Sequence, residues 1–252
     1  MKIVSLLTGR GNNSLKDKNV LDILGYPVLH YPAVAVRNSK YIQKNYCSSD
    51  DDKILNEARK EQFESIIRPA EISGPHSQHI DCIMHGLQEI SKREGRPDIL
   101  VVTLANNVTL KTQWVDDCIE MMINDMDISA VVPAYVDNDH HPFRAKKLNK
   151  NGFLEPFEQN MPNKVSTNRQ DLEQCLFLAH NIWVLNVKKL IEGNLVGQPP
   201  WNFMGDNIKP YIIEESLDIH IARDLLIARD WIINNLYLKI IYYHITPPSH
   251  LY

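Results

Sequence analysis

Cysteine is scarce, with four residues at 47, 82, 118 and 175 among 252. Their spacings contain no CxxC pair and no zinc-ligand pattern, which speaks against a thiolate metal site and favours free thiols over disulfides. Three of the four sit among apolar neighbours, so they read as buried free thiols of a reducing compartment. Positive charge is in deficit, with 27 Lys and Arg against 31 Asp and Glu and a net charge of −4. No general attraction to a nucleic-acid backbone is available, and an anionic ligand must be met by a local basic cluster. Long apolar runs are missing. The run near Met1 is at most five residues, too short for a signal-peptide core, and Trp231 to Ile245 is broken by Asn234, Asn235, Lys239 and His244. These absences read as a cytoplasmic chain without a membrane span. Ten glycines without a repeat, and 44% hydrophobic residues, exclude collagen-like and disordered structure.

Short apolar runs alternate with helical periods. Ile3 to Leu7 reads as a buried strand, followed by a polar loop from Thr8 to Lys18. Pro27 to Arg37 reads as a helix, Tyr41 to Ser48 as a strand and Asp51 to Gln62 as a helix. Ile80, Ile83, Met84, Leu87 and Ile90 share one face of a helix over 80–93. The clearest buried strand is Asp98 to Leu104, followed by a helix from Gln113 to Ile123 and an apolar run from Ile128 to Pro133. Residues 134–176 are polar, Asn-rich and interrupted by Pro142, Pro156 and Pro162, an insertion covering a site or an arm pairing with a second subunit. Alternation resumes with a strand over Phe177 to Val187 and a helix over Asp224 to Leu236. This rhythm predicts an α/β, three-layer, Rossmann-like fold with a mainly parallel sheet, and residues 1–252 read as a single domain.

Ligands of open α/β sheets bind at the carboxyl ends of strands. The loop after the first strand carries Gly9 and Gly11, whose backbone N–H groups could approach phosphate oxygens, together with Arg10, Lys16 and Lys18. It is neither a Walker loop nor GxGxxG, and a solvated turn explains it equally well. Ser48 to Asp52 reads chiefly as a helix cap. Arg68, in Arg68-Pro69-Ala70-Glu71, could meet a base or a phosphate. Asp218 and His220, two apart on an extended segment, could converge on one metal ion, with Asp224 capping the last helix. His76, His79 and His85, and the pair His140 and His141, lack a third ligand at metal spacing, and His85 reads as a packing residue. The aromatic stretch Trp231 to Tyr243 reads as a core or dimer-packing helix.

Taken in order, Lys18-Asn19, Leu24-Gly25-Tyr26-Pro27-Val28-Leu29, Ser48-Ser49-Asp50, Arg68-Pro69-Ala70-Glu71, Asn168-Arg169-Gln170-Asp171-Leu172 and Asp218-Ile219-His220 resemble the acylneuraminate cytidylyltransferase (CMP-sialic acid synthetase) family, related to the Kdo cytidylyltransferases. The likeness runs from about residue 3 to about 233 and marks a divergent member. It implies transfer of CMP from CTP to the anomeric hydroxyl of a nonulosonic or sialic-type 2-keto sugar acid, with Mg²⁺, in a homodimer serving polysaccharide synthesis. It assigns Arg10 and Lys18 to the triphosphate, with Gly9, Gly11, Asn12, Asn19, Arg68, Ser77 and Gln78 beside the nucleotide. Lys146 or Lys147, Arg169 and Gln170 fall to the sugar side, within 134–176, the family's dimerisation arm. Asp218 is the first of two metal-binding acids.

Three departures accompany the likeness. The phosphate loop is one residue shorter than the family's RGGSKGIPxKN, leaving open which of Asn12, Asn13, Ser14 and Lys16 replaces the Ser-Lys pair. The family's QPTSP has become Ala105-Asn106-Asn107-Val108-Thr109. The second metal acid has become His220, a poor Mg²⁺ ligand. Either Asp218 holds Mg²⁺ with water and phosphates, or Mn²⁺ or another His-tolerant ion is preferred, or the site is impaired. The alternatives to the family's reaction are a nucleotidyltransferase for another sugar or base and a degenerate binding homologue without turnover.

Overall fold

Strand β1 (Ile3–Thr8) is buried along its whole length and lies inside the sheet. The structure, a computed structural model, describes residues 1–193 and 196–237. After β1 come a hairpin of β2 (Asp22–Ile23) and β3 (Tyr26–Pro27), α1 (His30–Arg37), β4 (Lys44–Ser49), α2 (Asp52–Lys60) and β5 (Glu64–Ile67). Next are α3 (His79–Glu94), β6 (Ile99–Leu104), α4 (Thr112–Asn124) and β7 (Ala130–Val136). The stretch 134–176 contains a second hairpin, β8 (Lys146–Leu148) with β9 (Leu154–Pro156). The chain then forms β10 (Leu176–Leu178), β11 (Ile182–Asn186), α5 (Val187–Glu192), β12 (Ile208–Ile212) and α6 (Ala222–Ile232). The C-terminal aromatic stretch beyond residue 237 lies outside the described residues.

The sheet order is β10-β7-β11-β6-β1-β4-β5, with β12 also paired to β7. β5, β4, β1 and β6 are mutually parallel, β12 is parallel to β7, and β10 and β11 run against their neighbours. This is the mainly parallel, three-layer α/β architecture expected from the alternating pattern. Period-2 alternation divides the side chains between two cores. Leu7, Ile99 and Val101 meet Leu29 from the turn before α1, Ile54 from α2 and Ile119 from α4. Val4, Leu6, Leu100 and Val102 meet Ile83, Leu87 and Leu190 from α3 and α5. A third cluster ties α6 to the first hairpin through Ile23, Val28, Val108, Ile219 and Trp231.

One expected strand, 177–187, is two. Continuing the pairing Leu178↔Ala134 without interruption would set Asn181 opposite Val131, but Val184 stands there. Three extra residues therefore bulge from the ladder between β10 and β11. Asn181 holds the bulge: its amide donates to Thr109 O at 3.0 Å, and its carbonyl accepts from Thr103 Oγ1 at 2.9 Å. Bulges of this kind often re-aim a side chain at a site, and here the residue thrown outward is His180.

Candidate active site

A cleft of about 520 Å³ opens at the carboxyl ends of β1, β5 and β6. The loop after β1 supplies Gly9, Arg10, Lys18 and Asn19 to its wall. This loop is fixed largely by its own polar groups. The Arg10 carbonyl accepts from Asn13 Nδ2 at 2.6 Å and Asn19 Nδ2 at 3.1 Å, while the guanidinium donates to Gly74 O at 2.8 Å. The two glycine N–H groups already have partners: Gly9 donates to Ser48 O at 3.3 Å and Gly11 to Asp50 Oδ1 at 3.1 Å. Positive charge in this loop is therefore carried by side chains rather than by a backbone nest. A Cβ on Gly11 would stand 2.5 Å from Asp51 Oδ2, so that glycine serves close packing. Asp51 itself caps α2, accepting from Lys53 N at 2.7 Å.

Arg68, at the end of β5, is buried in the cleft wall. Its Nε donates to Ser48 Oγ at 3.2 Å and its Nη2 to Ser48 O at 2.6 Å. Both acceptors are neutral, so the guanidinium charge has no carboxylate bonded to it among the described residues. Ser77 and Gln78 line the same side, and Gln78 also enters a capping box with Asp81 at the start of α3. Asn12 and Gly11 stand outside the cleft lining.

Across the cleft, Asp218 and His220 flank Ile219, which is fully buried in the third core cluster. The backbone there is pinned by Ile219 N to Asn106 O at 2.8 Å. Asn107 donates to Asp218 Oδ1 at 2.7 Å, and Thr109 donates to Asn107 Oδ1 through both its N–H and its hydroxyl. The altered segment 105–109 thus orients the cleft carboxylate. His220 Nε2 lies 3.8 Å from Asp218 Oδ2. Asp224 caps α6, its Oδ2 accepting from the N–H groups of His220 and Ile221. Among the described residues no three His, Cys, Asp or Glu side chains are grouped to hold a metal ion.

Burial lowers the Lys18 ammonium below its ordinary value; Asp218 opposes that fall and Arg10 adds to it. Burial raises the Asp218 carboxyl, against the Asn107 hydrogen bond and the nearby His180, His220 and Lys18. The far end of the cleft is aromatic. His79, His180 and Trp201 line it, with the His180 ring 5.0 Å from Trp201 and the His79 ring edge-on to Trp183 at 5.3 Å. Desolvation, and then the charges of His180, Arg68 and Arg10, push His79 down to about 4, so it is neutral near pH 7.

The structure brings Gly9, Arg10, Lys18, Asn19, Arg68, Ser77, Gln78, Asp218 and His220 to this one cleft. Lys146, Arg169 and Gln170 are exposed on the 134–176 arm and do not line it. The Arg169 guanidinium is paired with Asp139 at 2.5 Å, and Lys147 with Glu155 at 3.6 Å. The cleft also contains His79, His180 and Trp201, and Asn107 stands behind its carboxylate, none of which the sequence marks as a site residue. Of these, only Asn107 carries a signal in the sequence, as part of the departure at 105–109.

The profile of the cytidylyltransferase family matches residues 11–165, more than half of the chain. The chain belongs to the cytidylyltransferase family. A curated relative, the pseudaminic acid cytidylyltransferase and UDP-2,4-diacetamido-2,4,6-trideoxy-beta-L-altropyranose hydrolase of Helicobacter pylori (strain ATCC 700392 / 26695), is 22% identical over 191 residues, 75% of this chain. The chain spans about a third (35%) of that relative's length. Among solved structures, a CMP:2-keto-3-deoxy-manno-octonic acid synthetase complexed with CTP superposes with a TM-score of 0.69 at 15% identity, covering 94% of this chain and 100% of that one. A 4-diphosphocytidyl-2C-methyl-D-erythritol synthase from Anaerococcus prevotii DSM 20548 gives 0.62 at 12% identity, covering 92% and 98%. At these identities the solved structures show the fold alone. No helix among the described residues is long and apolar enough to cross a membrane.

Proposed function

We propose that this cytidylyltransferase transfers CMP from CTP to the anomeric hydroxyl of a nonulosonic or sialic-type 2-keto sugar acid, releasing pyrophosphate. The observation that carries the reading is the convergence of Arg10, Lys18 and the carboxylate-free Arg68 on one cleft that also holds a single oriented carboxylate, Asp218. Three cations facing one acid suit a ligand with several negative charges, such as a triphosphate. Arg10 and Lys18 hold the phosphate oxygens, and Arg68 with Ser77 and Gln78 borders the nucleoside. The acceptor hydroxyl oxygen bonds to the α-phosphorus, its proton is released and the bond to pyrophosphate breaks. Most of the rate enhancement comes from alignment and from fixed positive charge where negative charge moves.

One acid, an adjacent imidazole and the triphosphate oxygens form a donor set that fits a divalent cation. Asp218 and His220 would hold it, and Mg²⁺ or Mn²⁺ there would neutralise phosphate charge. The acceptor occupies the aromatic end, where Trp201 and the neutral rings of His79 and His180 offer flat faces to the C–H side of a sugar. Lys146, Arg169 and Gln170 serve the sugar acid from the arm, which supports a homodimer in which each arm reaches the other subunit's cleft. Residues 1–252 act as one nucleotidyltransferase domain in the cytoplasm, making an activated sugar for polysaccharide or glycan synthesis. The test is pyrophosphate release from CTP with a panel of 2-keto sugar acids, with ATP, GTP and UTP as controls. Release with CTP and one such acid is the expected result. Release with another nucleotide instead, or silence without a CTP-induced rise in Tm, overturns it.

A further inference from the structure

The cation position differs chemically from the nucleotide and acceptor ends of the cleft, because the protein offers it one oxygen and one nitrogen. Asp218 Oδ1 is committed to Asn107 at 2.7 Å, which leaves Oδ2 as the oxygen free to ligate. That oxygen lies 3.8 Å from His220 Nε2. In an octahedral shell two donors each about 2.1 Å from the ion stand ~3.0 Å apart when adjacent, so a small rotation of the exposed His220 side chain brings the pair onto one ion. Ile219, buried between them, keeps both side chains on the cleft side of the segment. The nearby acid, Asp224, is withdrawn, since its Oδ2 accepts two backbone N–H groups at 2.7 and 2.9 Å.

We infer that Asp218 Oδ2 and His220 Nε2 form a mixed oxygen–nitrogen site that selects an imidazole-accepting divalent ion, of which Mn²⁺ is the representative, over Mg²⁺. Mg²⁺ is a hard ion that takes carboxylates, phosphates and water, and it gains little from imidazole. Mn²⁺ takes the same phosphate oxygens and, as a first-row transition ion, also gains from an imidazole nitrogen, although it stands lowest in the affinity order that rises toward Co²⁺ and Ni²⁺. The inference rests on the CTP reading above, because triphosphate oxygens complete the coordination that two side chains leave open.

The experiment is pulsed EPR of the protein with Mn²⁺ and CTP, alongside calorimetric titration of CTP in Mn²⁺ and in Mg²⁺. Nitrogen modulation of the Mn²⁺ echo is expected in the wild type, present in His180→Asn and absent in His220→Asp. The preference for Mn²⁺ over Mg²⁺ in CTP binding is expected to fall by about tenfold or more in His220→Asp. His220 is exposed, with 64% of its side chain accessible; if that variant nonetheless fails to fold, the wild-type spectrum decides. A CTP-bound complex without nitrogen modulation, or a signal lost in His180→Asn and kept in His220→Asp, overturns the inference and leaves the cytidylyltransferase activity standing. CTP that binds with neither ion overturns both.

Discussion

The ammonium of Lys18 is pulled in two directions, down by burial and by Arg10, up by Asp218 and Asp224, with burial the larger effect. In the free protein it therefore loses its proton below 10.5, the ordinary value. Only the cation can hold a phosphate oxygen, so kcat/KM for CTP should fall on an alkaline limb that begins below that value. The bound triphosphate adds negative charge and raises the ammonium again, so the limb should move upward in the profile of kcat. Lys18→Arg should remove the limb at some cost in rate, because a guanidinium stays charged. Lys18→Ala should lower turnover by about 10²–10³-fold with Tm unchanged. An identical alkaline limb in Lys18→Arg would assign that ionisation to another group. Lys18, Arg10 and Asp218 are reached in the sequence through the ordered motifs of the family resemblance, since a charged loop taken alone fits a solvated turn equally well. Asn107 and His180 are not: an asparagine that holds a carboxylate and a histidine lifted out by a bulge depend on partners distant in the chain.

Elements with continuous apolar runs or clear helical faces, β1, β6 and α3, follow directly from the pattern of the chain. The short strands β5 and β12 escape it, since neither has more than five residues and Glu64, Ile67, Lys209 and Pro210 are exposed. The bulge after β10 escapes it too, because Phe177 to Asn186 is apolar enough to read as one strand and only pairing with β7 reveals the slip. Helix α3 illustrates how packing can reverse a propensity. Gly86 lies inside it, where alanine should be favoured by about 1 kcal/mol. A Cβ there, however, would stand 2.5 Å from Leu6 Cδ2, and Leu6 is fully buried in β1, where close packing resists its displacement. Gly86→Ala should therefore destabilise the protein by about 1–3 kcal/mol, read as a Tm lowered by several degrees. In a Leu6→Ala background the same change should cost less than it does alone, since the colliding methyl is gone. A Tm raised by Gly86→Ala would mean that α3 can withdraw from the sheet and that propensity prevails.

At the scale of the molecule, the arm presents basic groups outside the cleft and apolar surface that the described residues leave uncovered. Lys146 and Arg169 stand outside the cleft, and Leu148, Phe153, Leu154 and Phe157 are 62–72% exposed on or beside its hairpin. Apolar side chains this open, adjoining one another on a short hairpin, are what a second protomer would cover. If each arm completes the partner's cleft, then Lys18→Ala and Arg169→Ala damage different halves of one composite site. Each homodimer should be nearly inactive. Mixing the two variants and allowing subunits to exchange should place both defects in one cleft of a heterodimer and leave the other cleft intact, so activity should recover toward roughly a quarter of wild type. Leu148→Asp combined with Leu154→Asp should convert the dimer to monomer by light scattering and abolish that recovery. A mixture that remains inactive although mass measurements confirm exchange would mean that Arg169 acts on its own subunit or not at all. In the first case the arm would have to fold back over the cleft, whose lining its hairpin does not join.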